Sequence, residues 1–154
     1  MADQGIKIVE KDGVFHLSGI LNEYADFSPL LPKSPPLRLN MKDVSRLNSI
    51  GVRNLLKFLA DWGTKPFSYD QCPSEFIDQI NMIPALLGTK SHGEIMSLFV
   101  PYECLSCDHE EEVLCPLADF KGLTQGGEAP KRQCPKCGSE STVLTDSFFV
   151  FLTR

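Results

Sequence analysis

Apolar and polar positions change period several times along the chain, and each change marks an element. Ile6 to Glu10 and Val14 to Ile20 alternate, as strands with one buried face do. Asp12-Gly13 between them suits a hairpin turn, because glycine tolerates positive φ. Asn22 to Leu31 places Tyr24, Phe27, Leu30 and Leu31 on one side and predicts a short helix, ended by the Pro32 to Pro36 stretch. Leu37-Arg38-Leu39-Asn40-Met41 alternates strictly and predicts a strand.

The strongest periodic signal comes next. Val52, Leu55, Leu56, Leu59 and Ala60 recur at helical spacing, with Arg53, Asn54, Lys57 and Asp61 on the other face. This predicts an amphipathic helix over 51–62. Asn48 or Ser49 can cap its start by accepting a backbone N–H bond, and Gly63 supplies the stop. Lys65 to Tyr69 predicts a short strand. Pro73 fits the first turn of a second helix with Phe76, Ile77, Ile80 and Ile83 inward, disturbed by Pro84 and ended by Gly88. Ile95 to Val100, Glu112 to Cys115 and Val143 to Leu152 predict further strands, and the glycine-rich stretch Gly122 to Arg132 predicts a mobile loop. Strands alternating with helices imply an α/β fold, a sheet with parallel pairs covered by helices. The chain contains no internal repeat.

Composition bounds this picture. The chain has 154 residues, 42% hydrophobic and 23% charged, enough for a real core in one domain or one domain with a small appendage. The formal net charge of −5 offers no global basic surface for nucleic acid. No apolar run approaches the ~20 residues of a membrane span, and Met1-Ala2-Asp3-Gln4 has no basic region of the kind that opens a secretory signal. The expected location is the cytoplasm, where thiols stay reduced and paired cysteines suggest metal before disulfides.

Six cysteines make that expectation matter: 72, 104, 107, 115, 134 and 137. Cys104-Leu105-Ser106-Cys107 and Cys134-Pro135-Lys136-Cys137-Gly138 are two CxxC pairs. Each can clasp one side of a tetrahedral ion, and four thiolates with no open position describe a structural zinc site. Iron is chemically compatible with the same ligands. The 26 residues between the pairs exceed the common ribbon spacing, but they contain the glycine-rich stretch, and loop-closure entropy grows slowly with length. Residues 101–154 therefore read as a small β zinc ribbon following a domain over 1–100. The run Phe148-Phe149-Val150-Phe151 is too apolar to lie exposed on a small ribbon and is expected to pack on the first domain. Cys72 and Cys115 have no second cysteine at ligand spacing and read as buried apolar residues. His109 reads as a turn residue, and neither His16 nor His92 has a catalytic partner in the sequence. Residues 101–154 carry nine acidic against five basic side chains, a balance that weighs against a ribbon for nucleic acid and favours a structural or protein-contact role.

The run from Leu37-Arg38-Leu39-Asn40-Met41 through Val44 and Asn48-Ser49-Ile50-Gly51-Val52 to Leu55-Leu56 resembles the core motif of STAS domains, shared by sulphate transporters and anti-sigma-factor antagonists. Asp12-Gly13-Val14 to Ser18-Gly19-Ile20-Leu21 is similar to the opening of that family. The resemblance covers about residues 5 to 100, and a STAS-like domain followed by a zinc ribbon is similar to an arrangement seen in bacterial proteins. It implies a four- or five-stranded mixed sheet flanked by helices, and a non-enzymatic switch. In anti-sigma-factor antagonists a serine in this motif is phosphorylated by a partner kinase; by position that serine is Ser49. Here Asn48 stands where the family usually has Asp, Ile50 where it has a small residue, and Asn40 where the strand ends in Asp. These changes remove a carboxylate beside the hydroxyl and add bulk next to it.

The expected function is thus a cytoplasmic signalling adaptor that binds a protein partner, an anti-sigma-factor-like kinase in the family's pattern, through Asn48, Ser49, Ile50, Arg53, Asn54 and Lys57. The alternatives are a zinc-ribbon protein that binds nucleic acid or the transcription apparatus, and a CxxC thiol oxidoreductase. No hydrolase triad, P-loop or dinucleotide fingerprint is present, and no enzyme activity or membrane contact is expected.

Overall fold

The N-terminal alternation becomes a hairpin of strands β1 (Ile6–Lys11) and β2 (Val14–Leu21). Its turn residues Asp12 and Gly13 both take positive φ, 54° and 79°, as a tight two-residue connection requires. The computed structural model describes residues 5–120, 129–144 and 146–153, with no side-chain description at 146, 147 and 153. Beyond the hairpin come β3 (Leu37–Leu47), α1 (Ser49–Trp62), β4 (Phe67–Asp70), α2 (Ser74–Met82), β5 (Glu94–Ile95), β6 (Ser97–Cys104), β7 (Glu110–Pro116), β8 (Arg132–Gln133) and β9 (Glu140–Val143). Among the described residues the strands form a five-stranded sheet in the order β1-β2-β3-β4-β5 and a four-stranded sheet in the order β7-β6-β9-β8. The first pair is antiparallel and β2 to β5 run parallel, whereas the second sheet is antiparallel throughout. Among the described residues the chain is a mixed α/β fold with a mixed sheet and two α-helices.

Helix α1 starts and stops where the sequence places its signals. Asn48 is extended, and its Oδ1 accepts the Gly51 N–H at 2.8 Å. Gly63 closes the helix with φ 80°. A Cβ on Gly51 would run into the Leu21 carbonyl, so the missing side chain lets the first turn lie directly on the end of β2. The buried face is Val52, Leu55, Phe58, Leu59 and Trp62, rotated from the predicted one. The larger aromatics turn inward, Leu56 is half-buried, and Ala60 is exposed.

Three expectations differ from the structure. Residues 22–31 hold only a 3₁₀ turn, Ser28–Leu30, and Tyr24 is 58% exposed. The Asn22 side chain accepts the Tyr24 N–H at 3.0 Å, a local bond that competes with helix. Strand β3 does not stop at Met41 but runs to Leu47, because Asp43, Val44, Arg46 and Leu47 continue the pairing with β2. The predicted strand from Val143 to Leu152 ends at Val143, and Asp146–Thr153 is instead a kinked 3₁₀ segment that buries Phe148, Phe149 and Phe151. The expected mobile loop falls largely on residues 121–128, outside the described residues, although Arg132 belongs to β8.

The two sheets share one hydrophobic core, which holds Leu17, Leu39, Leu55, Tyr69 and Phe76 together with Leu98, Val100, Phe120 and Phe148. The predicted strand at 95–100 is split between the sheets at Met96. Its N–H donates to the Tyr69 carbonyl at 2.8 Å, and its own carbonyl accepts the Leu117 N–H at 3.0 Å. Cys72 continues the seam: its N–H donates to the Ser97 carbonyl at 3.1 Å and its carbonyl accepts the Phe99 N–H at 2.8 Å.

Candidate metal centre

The two CxxC pairs fold as near copies of each other. In the first, the Cys104 N–H donates to the His109 carbonyl at 2.8 Å and the Cys104 carbonyl accepts the Asp108 N–H at 3.0 Å. In the second, the Cys134 N–H donates to the Ser139 carbonyl at 2.6 Å and the Cys134 carbonyl accepts the Gly138 N–H at 2.9 Å. Asp108 and Gly138 occupy the same place in their turns and both are left-handed, at φ 62° and 78°. Glycine carries that conformation in one knuckle and aspartate, one of the side chains that tolerate it, in the other. One further bond repeats. The Ser106 N–H points at Cys104 Sγ, and the Lys136 N–H at Cys134 Sγ, each at 3.4 Å.

The pairing of β6 with β9 then brings the knuckles together. Cys104 lies opposite Ser141, and Ser141 pairs on its other side with Arg132 of β8. Across the gap Cys104 Sγ is 3.5 Å from Cys137 Sγ, and Cys107 Sγ is 3.7 Å from Cys134 Sγ. All four ligand atoms lie within 4.8 Å of one another. A tetrahedral ion with bonds of about 2.3 Å to sulfur needs sulfurs about 3.8 Å apart. The four cysteines fit a metal ion on that measure.

Their acidities tell the same story. At Cys137 the backbone N–H of Ser139, the Ser139 hydroxyl and the neighbouring thiols bring the pKa down to about 6. At Cys107 the His109 backbone bond works downward, but burial and the thiols of Cys137, Cys104 and Cys134 push it up to about 12. At Cys134 burial works upward and is outweighed by the N–H groups of Cys137 and Lys136 and by its thiol neighbours, so the thiol sits below its ordinary value. Thiols this close cannot all ionise unaided; a bound cation removes the repulsion.

Comparison with protein-family models, with curated proteins and with solved structures finds no match to this chain.

Cys115 stands apart from the cluster, half-buried, with its thiol toward the Val113 carbonyl at 3.5 Å. Cys72 is fully buried, and burial together with the Asp70 charge pushes its thiol well up. His109 joins through its carbonyl, not its ring. His92 packs edge-on against Phe67, and its ring nitrogens have no hydrogen-bond partner.

The second group of predicted residues gathers at the start of α1. Asn48, Ser49 and Arg53 are exposed, as is Lys57, and Ile50 is 45% exposed. Asn54 is half-buried, and its Nδ2 donates to the carbonyls of Glu23 and Ala25 at 3.3 and 3.2 Å. It ties the 22–25 turn to the helix. That turn brings Glu23 near the Asn48 amide, at 3.4 Å, and leaves Tyr24 exposed on the adjacent turn. Tyr24 was missed as a surface residue because its spacing with Phe27 and Leu31 suggested a helix face. No helix long and apolar enough to cross a membrane is found among the described residues.

Proposed function

We propose that this chain is a non-enzymatic, zinc-containing regulatory protein of the STAS type, which binds a protein partner through the first turn of α1. The observation that carries this reading is the pairing of an exposed hydroxyl, Ser49, with an exposed aliphatic, Ile50, on a turn with a fixed backbone. The Asn48 cap holds one side of that turn and the close approach of Gly51 to Leu21 holds the other. An apolar side chain on a rigid support is what a binding surface needs, since little entropy is lost on docking. Arg53 and Lys57 lie further along the same exposed side. Phosphate on Ser49 would add about −1.5 to −2 charge beside Ile50 and weaken an apolar contact there. In this reading Cys104, Cys107, Cys134 and Cys137 hold zinc(II) as thiolates. With no ligand position left open the ion is structural: it clamps the two knuckles and supplies no chemistry.

The test combines mass and contact. Native mass spectrometry of protein from its own host should give one zinc per chain, and denatured spectra should give a phosphorylated fraction mapped to Ser49. A photo-crosslinking residue in place of Ile50 should capture one discrete protein in cells. Adding Ser49→Asp should abolish that product, and adding Ser49→Ala should keep it. Equal capture by both serine variants would sink the switch; no capture at all would sink the surface.

A further inference from the structure

A groove of about 430 Å³ lies between α2 and the second sheet, far in sequence from the start of α1 and sharing no residue with it. Its walls include Asp78 of α2, Pro101 of β6, and Glu110 and Glu112 of β7; Leu144 and Phe148 line it as well. Leu144 is 42% exposed, so the groove holds an uncovered aliphatic surface.

The charges around it are set against one another. The β6–β7 register places Glu103 directly opposite Glu110 and Pro101 opposite Glu112. Like charges facing each other across an antiparallel pair cost stability. Asp78 meets the same conflict from the helix side. The side chain is exposed, and partial desolvation together with the charges of Glu75 and Glu112 pushes its carboxyl up. Among the described residues no ion pair relieves Asp78, Glu110 or Glu112; the neighbouring Arg132 is engaged by Glu111 at 3.6 Å. The free molecule thus presents an exposed rim of like charge with no counter-charge of its own, which an occupant of opposite charge would complement. Nucleic acid has the wrong sign. A bare cation would leave Leu144 uncovered.

We propose that this groove docks a basic protein segment with an apolar anchor, the anchor seated against Pro101, Leu144 and Phe148 and the flanking Lys or Arg side chains against Asp78, Glu110 and Glu112. The anchor supplies affinity by burying apolar surface, and the rim supplies orientation and a salt-sensitive on-rate. The surface is a second contact, independent of the one at Ser49.

The experiment uses the full-length, metal-loaded chain and a short labelled peptide of Lys-Leu repeats, with Lys-Ser and Glu-Leu repeats of equal length beside it. Binding is followed by fluorescence anisotropy over a range of salt. Lys-Leu should bind, and the other two should not. Asp78→Asn with Glu112→Gln should weaken binding about three- to tenfold and flatten its salt dependence. Leu144→Ala should weaken it about as much and leave the salt dependence alone. The remote pair Glu10→Gln with Asp61→Asn should change nothing. Circular dichroism melts of every variant check that it folds. The proposal is overturned if Lys-Ser binds as well as Lys-Leu, if the remote pair weakens binding as much as the groove pair, or if Leu144→Ala binds undiminished. Displacement of the peptide by calcium ions at micromolar concentration would also overturn it, in favour of a cation site.

Discussion

Asp78 shows how one residue can be set against the fold that holds it. The side chain is exposed, yet partial desolvation and the charges of Glu75 and Glu112 hold its carboxyl above its ordinary value. A carboxyl with a raised folded value binds its proton more tightly folded than unfolded. Its contribution is therefore fully present below the unfolded value of 3.8 and is lost as pH rises through the folded value. At neutral pH the charged side chain is a slight burden, reduced by solvent screening, and Asp78→Asn should raise the urea midpoint at pH 7 by a small margin while giving little or no gain at pH 3. A lower midpoint at pH 7 would mean that Asp78 has a stabilising partner. Nothing in the sequence marks Asp78, because Glu112 is its neighbour only through the fold. By contrast the Asn48 cap, the Gly63 stop and the Asp12-Gly13 turn were legible, since each depends on the few residues around it. The clustering of the four cysteines was legible for the same reason, with two residues between the cysteines of each knuckle. The left-handed role of Asp108 was not, because glycine alone advertises that conformation.

The longest persistent period gave the clearest element, whereas the short helical spacing at 22–31 and the apolar run at the C-terminus were misread. The 51–62 helix has alternating faces and was found. The C-terminal run Phe148 to Leu152 has none, and a short apolar run fits a buried strand and a buried helical turn equally well. The choice is made by α2. Asn81 donates from Nδ2 to the Phe148 carbonyl at 2.9 Å and accepts the Phe151 N–H on Oδ1 at 2.8 Å, so one amide side chain satisfies two backbone groups of the segment. Phe149 then stacks on Phe120, with ring centroids 4.6 Å apart. Asn81→Ala removes both bonds and leaves partly buried backbone groups unpaired. A loss of about 2 kcal/mol is expected in denaturant unfolding. An unchanged midpoint would show that the segment is held by its phenylalanines alone.

At the scale of the whole molecule, Cys104, one of the four cysteines that could hold a metal ion, ends a strand whose residues Leu98, Val100 and Tyr102 are buried in the common core. A metal ion held by these cysteines would therefore be coupled to the folding of far more than the two knuckles. Removing the ion with a chelator should move a single thermal transition downward for the entire chain. Two transitions, with the upper one unmoved, would show that the sheets unfold separately. This coupling could not be read from the sequence. A helix-and-strand pattern over 1–100 and a cysteine pattern over 101–154 look like two modules, and the strand that crosses position 100 belongs to both.

Met96 gives that coupling a local form. Its N–H is bonded to Tyr69 of the first sheet and its carbonyl to Leu117, just past the end of β7, while Cys72 holds β6 through both its own N–H and carbonyl, at Ser97 and Phe99. Releasing either sheet at this point breaks a backbone bond that the other sheet cannot replace. The amide protons of Met96 and Phe99 are therefore expected to exchange with solvent more slowly than those at the sheet edges, and native-state hydrogen exchange reads how tightly the two sheets are joined.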